Sequence, residues 1–170
     1  MEDKKGVDII SLIQSDHSNF LEKDDYLNKL LFDFLNKDLS WGKEDVKEFL
    51  ALFINIILRH FEDEADLVKL LEKKMDVTDN KIIMINAFIQ EHETIKKRIG
   101  QINIALNDYK PQVREVKENL KKNAHEILEL VTKHAQKEDV SLFPLARELL
   151  TKSDLEQLQN TVETRKNMRK

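Results

Sequence analysis

Apolar residues recur every three or four positions through successive long stretches of this chain, and almost nothing interrupts them. The first stretch carries Ile10, Ile13, Phe20, Leu27, Leu31 and Phe34, and the second Val46, Phe49, Leu50, Phe53, Ile56, Ile57, Leu67 and Leu71. The third carries Ile82, Ile85, Phe88, Ile89, Ile95, Ile99 and Ile102. That period lines one face of an α-helix, whereas a half-buried strand would alternate every second residue. Only 3 Gly and 2 Pro stand in 170 residues, so helices can run far before a breaker stops them. The pattern predicts helices over about Val7–Asn36, Lys43–Lys74, Asp79–Asn107 and Pro111–Val140. Asp38-Leu39-Ser40-Trp41-Gly42 and a loop over Met75–Thr78 separate the first three, with Thr78 or Asp79 as N-cap. Pro111 suits the first turn of the fourth helix, because a proline there loses no hydrogen bond. Pro144 kinks or ends that helix. Ser153-Asp154-Leu155-Glu156 fits a capping box opening a short last helix. Short connections between long helices predict an all-α, up-down-up-down four-helix bundle with a short C-terminal helix, one domain over residues 1–170.

Composition narrows the function classes. No apolar run reaches the roughly 18 residues of a membrane span. Met1-Glu2-Asp3-Lys4-Lys5 does not open a signal peptide, so a cytoplasmic location with no membrane partner is expected. A net charge of −4 supplies no attraction for nucleic acid. Arg165, Lys166, Arg169 and Lys170 read as a solvated basic tail. The absence of cysteine removes disulfides, thiol catalysis, iron–sulfur ligation by this chain and most structural zinc sites.

Four of the five histidines, His17, His60, His92 and His134, fall one per long segment, and each sits on the apolar stripe of its helix. His60 is in line with Phe53, Ile56, Ile57 and Leu67, and His92 with Ile85, Phe88, Ile89 and Ile95. His17 is in line with Ile10, Ile13, Phe20 and Leu21, and His134 with Ile127, Leu130 and Val131. Two of them carry a glutamate one turn on, in His60-x-x-x-Glu64 and His134-x-x-x-Glu138, so each pair offers a nitrogen and an oxygen from one face. A third such pair, His125-x-x-x-Glu129, lies half a turn from His134 at about 100° per residue, among Glu118, Lys121, Lys122 and Thr132. It belongs to the solvated face. Counted from the turns at about 1.5 Å per residue, the other four histidines reach one level of the bundle. Each group buried there alone would cost about 1–3 kcal/mol, and two ionised glutamates more. A pair of metal ions bound by all six would remove that cost.

Mixed imidazole and carboxylate donors without thiolate suit iron, manganese or zinc. No two histidines stand four apart on one helix, which excludes the His-Glu-x-x-His zinc hydrolases, and no Glu-x-x-His accompanies these four histidines. Two carboxylates able to bridge favour a di-iron centre. Asp139 competes with Glu138, but on a straight helix the residue at i+4 turns only about 40° from His134 and that at i+5 about 140°. Glu91 and Glu93 are assigned to the solvated surface, with a hydrogen bond to a ligand as the alternative for them. Lys96 shares the face of His92 and is expected to snorkel outward. Trp41 is expected to pack over the bundle's end.

The set Asp16-His17, His60-x-x-x-Glu64, Glu91-His92-Glu93 and His134-x-x-x-Glu138, followed by Leu142-Phe143-Pro144-Leu145, resembles the hemerythrin-like, HHE cation-binding family over nearly the whole chain. The resemblance implies an up-and-down four-helix bundle around two iron ions, oxo- and carboxylate-bridged, with His17, His60, Glu64, His92, His134 and Glu138 as ligands and the two glutamates bridging. Oxygen-carrying hemerythrins have a fifth histidine one turn after that on helix three, where this chain has Lys96. The four-histidine, two-glutamate set instead resembles the di-iron repair proteins for iron–sulfur centres, which respond to nitric oxide and oxidative stress. The expected function is therefore a non-heme di-iron protein acting on oxygen, nitric oxide or peroxide. The alternatives are an iron or oxygen sensor or storage module acting through a protein partner, contacted by the last helix with Leu155 and Leu158, or a reversible oxygen carrier.

Overall fold

The computed structural model describes residues 8–18, 43–76, 80–107 and 113–168. Residues 9–18 form α1, and the later helices are α2 (Lys43–Glu72), α3 (Asn80–Asn107), α4 (Arg114–Val140), α5 (Leu142–Leu149) and α6 (Lys152–Met168). Among the described residues there is no strand, and the architecture is an all-α bundle. The rest of the expected first helix, Trp41, the Thr78/Asp79 cap and Pro111 lie outside the described residues.

Helix α3 packs on α4 and α2, while α5 and α6 close over the flank of α2. The apolar stripes merge into two cores stacked along the bundle. One gathers Leu50, Ile57, Phe61, Ile95, Ile99, Ile102, Leu120, Ile127 and Val131. The other gathers Ile10, Ile13, Leu67, Leu71, Ile85, Phe88, Leu142, Phe143, Leu158 and Val162. Helices α2 and α3 each pass from one core to the other near the histidine they carry. In α2 the change falls between Phe61 and Leu67, and in α3 between Phe88 and Ile95, while α4 joins the first core up to Val131 and α5 enters the second at Leu142. A polar layer thus lies between two dry ones.

The end of the chain differs from the sequence expectation in three ways. Helix α4 stops at Val140, as the pattern predicts, but a separate helix α5 that was not expected follows, with Pro144 in its first turn. Pro144 has no N–H for the carbonyl of Val140 four residues back and would clash with it, so the break comes there. Beyond the break Pro144 costs nothing, since the first turn's N–H groups have no helical acceptor. Second, the capping box is Thr151 with Asp154, not Ser153 with Glu156. The Thr151 backbone N–H donates to Asp154 Oδ2 at 2.8 Å, and the Asp154 N–H donates to Thr151 Oγ1 at 3.3 Å. Third, Arg165 and Lys166 do not belong to a free tail, while Arg169 and Lys170 lie outside the described residues. Arg165 pairs with Asp63 and Asp66 of α2, Lys166 lies 3.7 Å from Asp63, and Lys74 meets Asp154 at 2.8 Å. These contacts fasten both ends of α6 along α2, with Leu158 and Val162 buried beneath. Of the two leucines expected to meet a partner, Leu158 is buried in the bundle. Leu155 is half-buried, and Lys166 is exposed.

Because Leu158 is part of the core, Leu158→Ala should cost about 2–5 kcal/mol in a chemical denaturation curve. A change within roughly 0.5 kcal/mol, as for an exposed position, would contradict the docking of α6.

Candidate metal centre

His17 from α1, His60 and Glu64 from α2, His92 from α3, and His134 and Glu138 from α4 all point into the polar layer and are buried. They form two overlapping clusters whose donor atoms lie within 4.8 Å of one another: His17, His60, Glu64 and Glu138, and His92, His134, Glu64 and Glu138. Both glutamates belong to both. Glu64 turns Oε1 to His60 Nε2 at 2.7 Å and to His17 Nε2 at 3.7 Å, and Oε2 to His92 Nε2 at 3.1 Å. Glu138 turns Oε2 to His17 Nε2 at 3.4 Å, and Oε1 to His134 Nε2 at 3.0 Å and His92 Nε2 at 3.7 Å. Each carboxylate thus straddles the layer, one oxygen to each histidine pair.

Within each pair the Nε2 atoms nearly touch, at 2.9 Å for His17 and His60 and 2.8 Å for His92 and His134. Outside the layer, carboxylates meet the other ring nitrogens. His17 Nδ1 donates to Asp139 at 3.0 Å and His134 Nδ1 to Glu91 at 2.8 Å, while Asp16 lies 3.5 Å from His60 Nδ1. An ionised carboxylate only accepts, so it holds the proton on Nδ1 and leaves the Nε2 lone pair facing inward. Lone pairs and carboxylate oxygens then converge on two points, and both oxygens of Glu64 and of Glu138 are buried without a well-aligned hydrogen bond. Such a donor set fits metal binding, and imidazole with carboxylate and no thiolate suits iron, manganese or zinc.

Without metal, protons must take the cations' place. Burial opposes charge on His17, but the Glu138 and Glu64 carboxylates outweigh it and raise its pKa to about 9. Burial likewise opposes charge on His60, yet the Glu64 carboxylate raises it to about 10. Glu64 is pushed upward by burial and, more strongly, held well below the usual carboxylate range by His60, His17 and His92.

Several expectations can be placed. Glu138 is wholly buried in the layer, whereas Asp139 stands outside it against His17 Nδ1, where Gln14 Nε2 also donates to it at 3.0 Å. His125 is exposed on the outer face of α4. Lys96 points outward and pairs with Glu93 at 2.8 Å. Glu91 departs from the surface assignment: it bonds His134 inward and Lys137 outward. Asp16, Glu91 and Asp139 form an outer ring that helix periodicity did not single out. The repeated acid–histidine pairs Asp16-His17 and Glu91-His92 were the available signal. A groove of about 520 Å³ between α3 and α4 is lined by Glu91, Ile95, Leu130, His134, Lys137 and Val140, among others.

The family model of the hemerythrin HHE cation binding domain matches residues 8–146, and a second match spans residues 83–167. The chain therefore belongs to the hemerythrin HHE cation-binding domain family. Among curated proteins and solved structures nothing matches it. Family membership and the two buried clusters together point to metal binding.

The raised histidines set the sign of a pH effect. Unfolding releases their protons near the ordinary value of 6.5, so their stabilising contribution is complete below that pH and disappears as pH climbs to about 9 and 10. Thermal melts of the metal-free protein, followed by circular dichroism, should show Tm falling from pH 6.5 to 10. A flat or rising profile across that window would contradict the arrangement.

Proposed function

We propose that the protein is a non-heme di-iron protein of the stress response that acts on oxygen, nitric oxide or peroxide, with repair of iron–sulfur centres as its setting. One iron would be held by His17 and His60, the other by His92 and His134, and Glu64 and Glu138 would serve both. The observation that carries this reading is the straddling of the layer by both glutamates, one oxygen towards each histidine pair. A mononuclear site would not call for two such carboxylates, and two-metal sites hold their ions about 3.5–4 Å apart, within a carboxylate's span.

Bound ferrous iron would supply the electrons and the open position that a diatomic ligand or peroxide requires. The chain's own groups do the rest. The four histidines and two glutamates present fixed donors from helices, so little ordering is needed when metal arrives. Asp139, Glu91 and Asp16 hold the ring orientations and make the nitrogens better donors. The two apolar cores above and below keep bulk water from the layer. Lys96, turned to Glu93 on the surface, adds no fifth nitrogen, which favours reaction with small oxidants over reversible oxygen carriage.

Anaerobic reconstitution with ferrous iron followed by metal analysis should give about two irons per chain. His60→Ala and Glu138→Ala should each lose at least one, with a drop in Tm of the loaded protein. Full iron content in both variants would overturn the ligand assignment. Stopped-flow mixing of the ferrous protein with nitric oxide and with oxygen should change its optical spectrum within the mixing experiment. An unreactive ferrous protein would remove the proposed chemistry.

A further inference from the structure

The metal layer has an internal two-fold relation that the outer carboxylates break. His92, His134 and Glu138 stand 75, 74 and 74 positions after His17, His60 and Glu64. The acid before the first histidine of each set follows the same rule: Asp16 faces Nδ1 of His60 on α2, and Glu91 faces Nδ1 of His134 on α4. Helix pair α1–α2 is thus repeated by α3–α4, with an outer carboxylate beside one histidine of each pair, at 3.5 Å for Asp16 and 2.8 Å for Glu91.

The relation fails at one place. Asp139, the residue after Glu138, accepts from His17 Nδ1 at 3.0 Å. Its counterpart, the residue after Glu64, is Ala65, which has no acceptor to offer His92. Among the described residues the polar partners of His92 are His134, Glu64 and Glu138, all met through Nε2. The ring of His92 is held instead by the face of Phe61, stacked at 4.0 Å between centroids and 19° from parallel. Packing fixes a ring but does not make its nitrogen a stronger donor.

The two sides also differ in support and in access. Asp139 is anchored by Gln14, which in turn accepts from Arg147 at 3.0 Å, so the His17 contact is braced from α5. On the other side the groove between α3 and α4 runs down to His134.

We propose that the two metal positions are unequal: the ion at the His17/His60 position is the retained one, and the ion at the His92/His134 position is the exchangeable one, passing through the α3–α4 groove. This rests on the di-iron reading and adds to it which iron such a protein can give up while its bundle stays folded. Removing an outer partner of a metal-bound histidine commonly costs 10–100-fold in affinity, and the missing acceptor at Ala65 is a built-in difference of that kind.

The test is anaerobic. Protein loaded with two ferrous ions is mixed with excess of a colour-forming ferrous chelator, and release is followed with time. Wild-type protein should lose one iron per chain in a fast phase and the second at least about tenfold more slowly. Asp139→Asn should accelerate the slow phase alone, and Glu91→Gln the fast phase alone, with circular dichroism showing both variants folded. Release of both irons in one phase would overturn the proposal, as would Asp139→Asn acting on the fast phase or Glu91→Gln on the slow one. Protein that never binds two irons would instead overturn the di-iron reading on which it rests.

Discussion

Two glutamates with no exposure to solvent, Glu64 and Glu138, sit between four imidazoles, and the rest of the structure is arranged around that fact. A buried carboxylate is tolerated only when opposite charge and hydrogen-bond partners surround it. Here the four histidines are those partners, from four different helices, so the layer ties the bundle together across its width. In the metal-free chain the charge is balanced by protons that His17 and His60 keep well above their ordinary range. With cations in the layer the same nitrogens become donors, and the protons leave. Metal and proton compete for one set of lone pairs.

The polar layer also shapes the hydrophobic core. A single apolar column would leave six polar side chains in hydrocarbon surroundings; instead the core is divided, and α2 and α3 cross the boundary near their own histidines. Helices α5 and α6 complete the lower core with Leu142, Phe143, Leu158 and Val162. The ion pairs of Arg165 and Lys166 with Asp63 place α6 beside the turn of α2 that carries Glu64. The end of the chain thereby supports the same turn that supplies a shared carboxylate.

Much of this was legible in the residue pattern. The stripes located α2, α3 and α4, and the face test separated His134 from His125, two members of the same motif with opposite fates. The same reasoning favoured Glu138 over Asp139 for the inward position, and Glu138 is the one inside. Other features were not legible for identifiable reasons. Asp16 and Glu91 each precede an inward histidine by about 100° of helix turn, so their own helix places them off the inner face. They reach Nδ1 of a histidine only because a neighbouring helix lies alongside. The true cap at Thr151 turned on one or two residues of local geometry, the scale at which helix ends are least determined by pattern. The pairing of Arg165 with Asp63 spans 102 positions, and no local signal encodes it.

The sequence by itself determined which side chains face inward. Helical period is a local property of the backbone, and the spacing of His60 to Glu64 and His134 to Glu138 sets their common faces before any helix meets another. Tertiary structure alone decided which histidines form pairs, that both glutamates straddle the two pairs, and which outer carboxylate meets which ring. Those depend on the rotation and height of each helix relative to its neighbours. Rotation and height are set by how the two apolar cores interlock, a property of surfaces far apart in the chain.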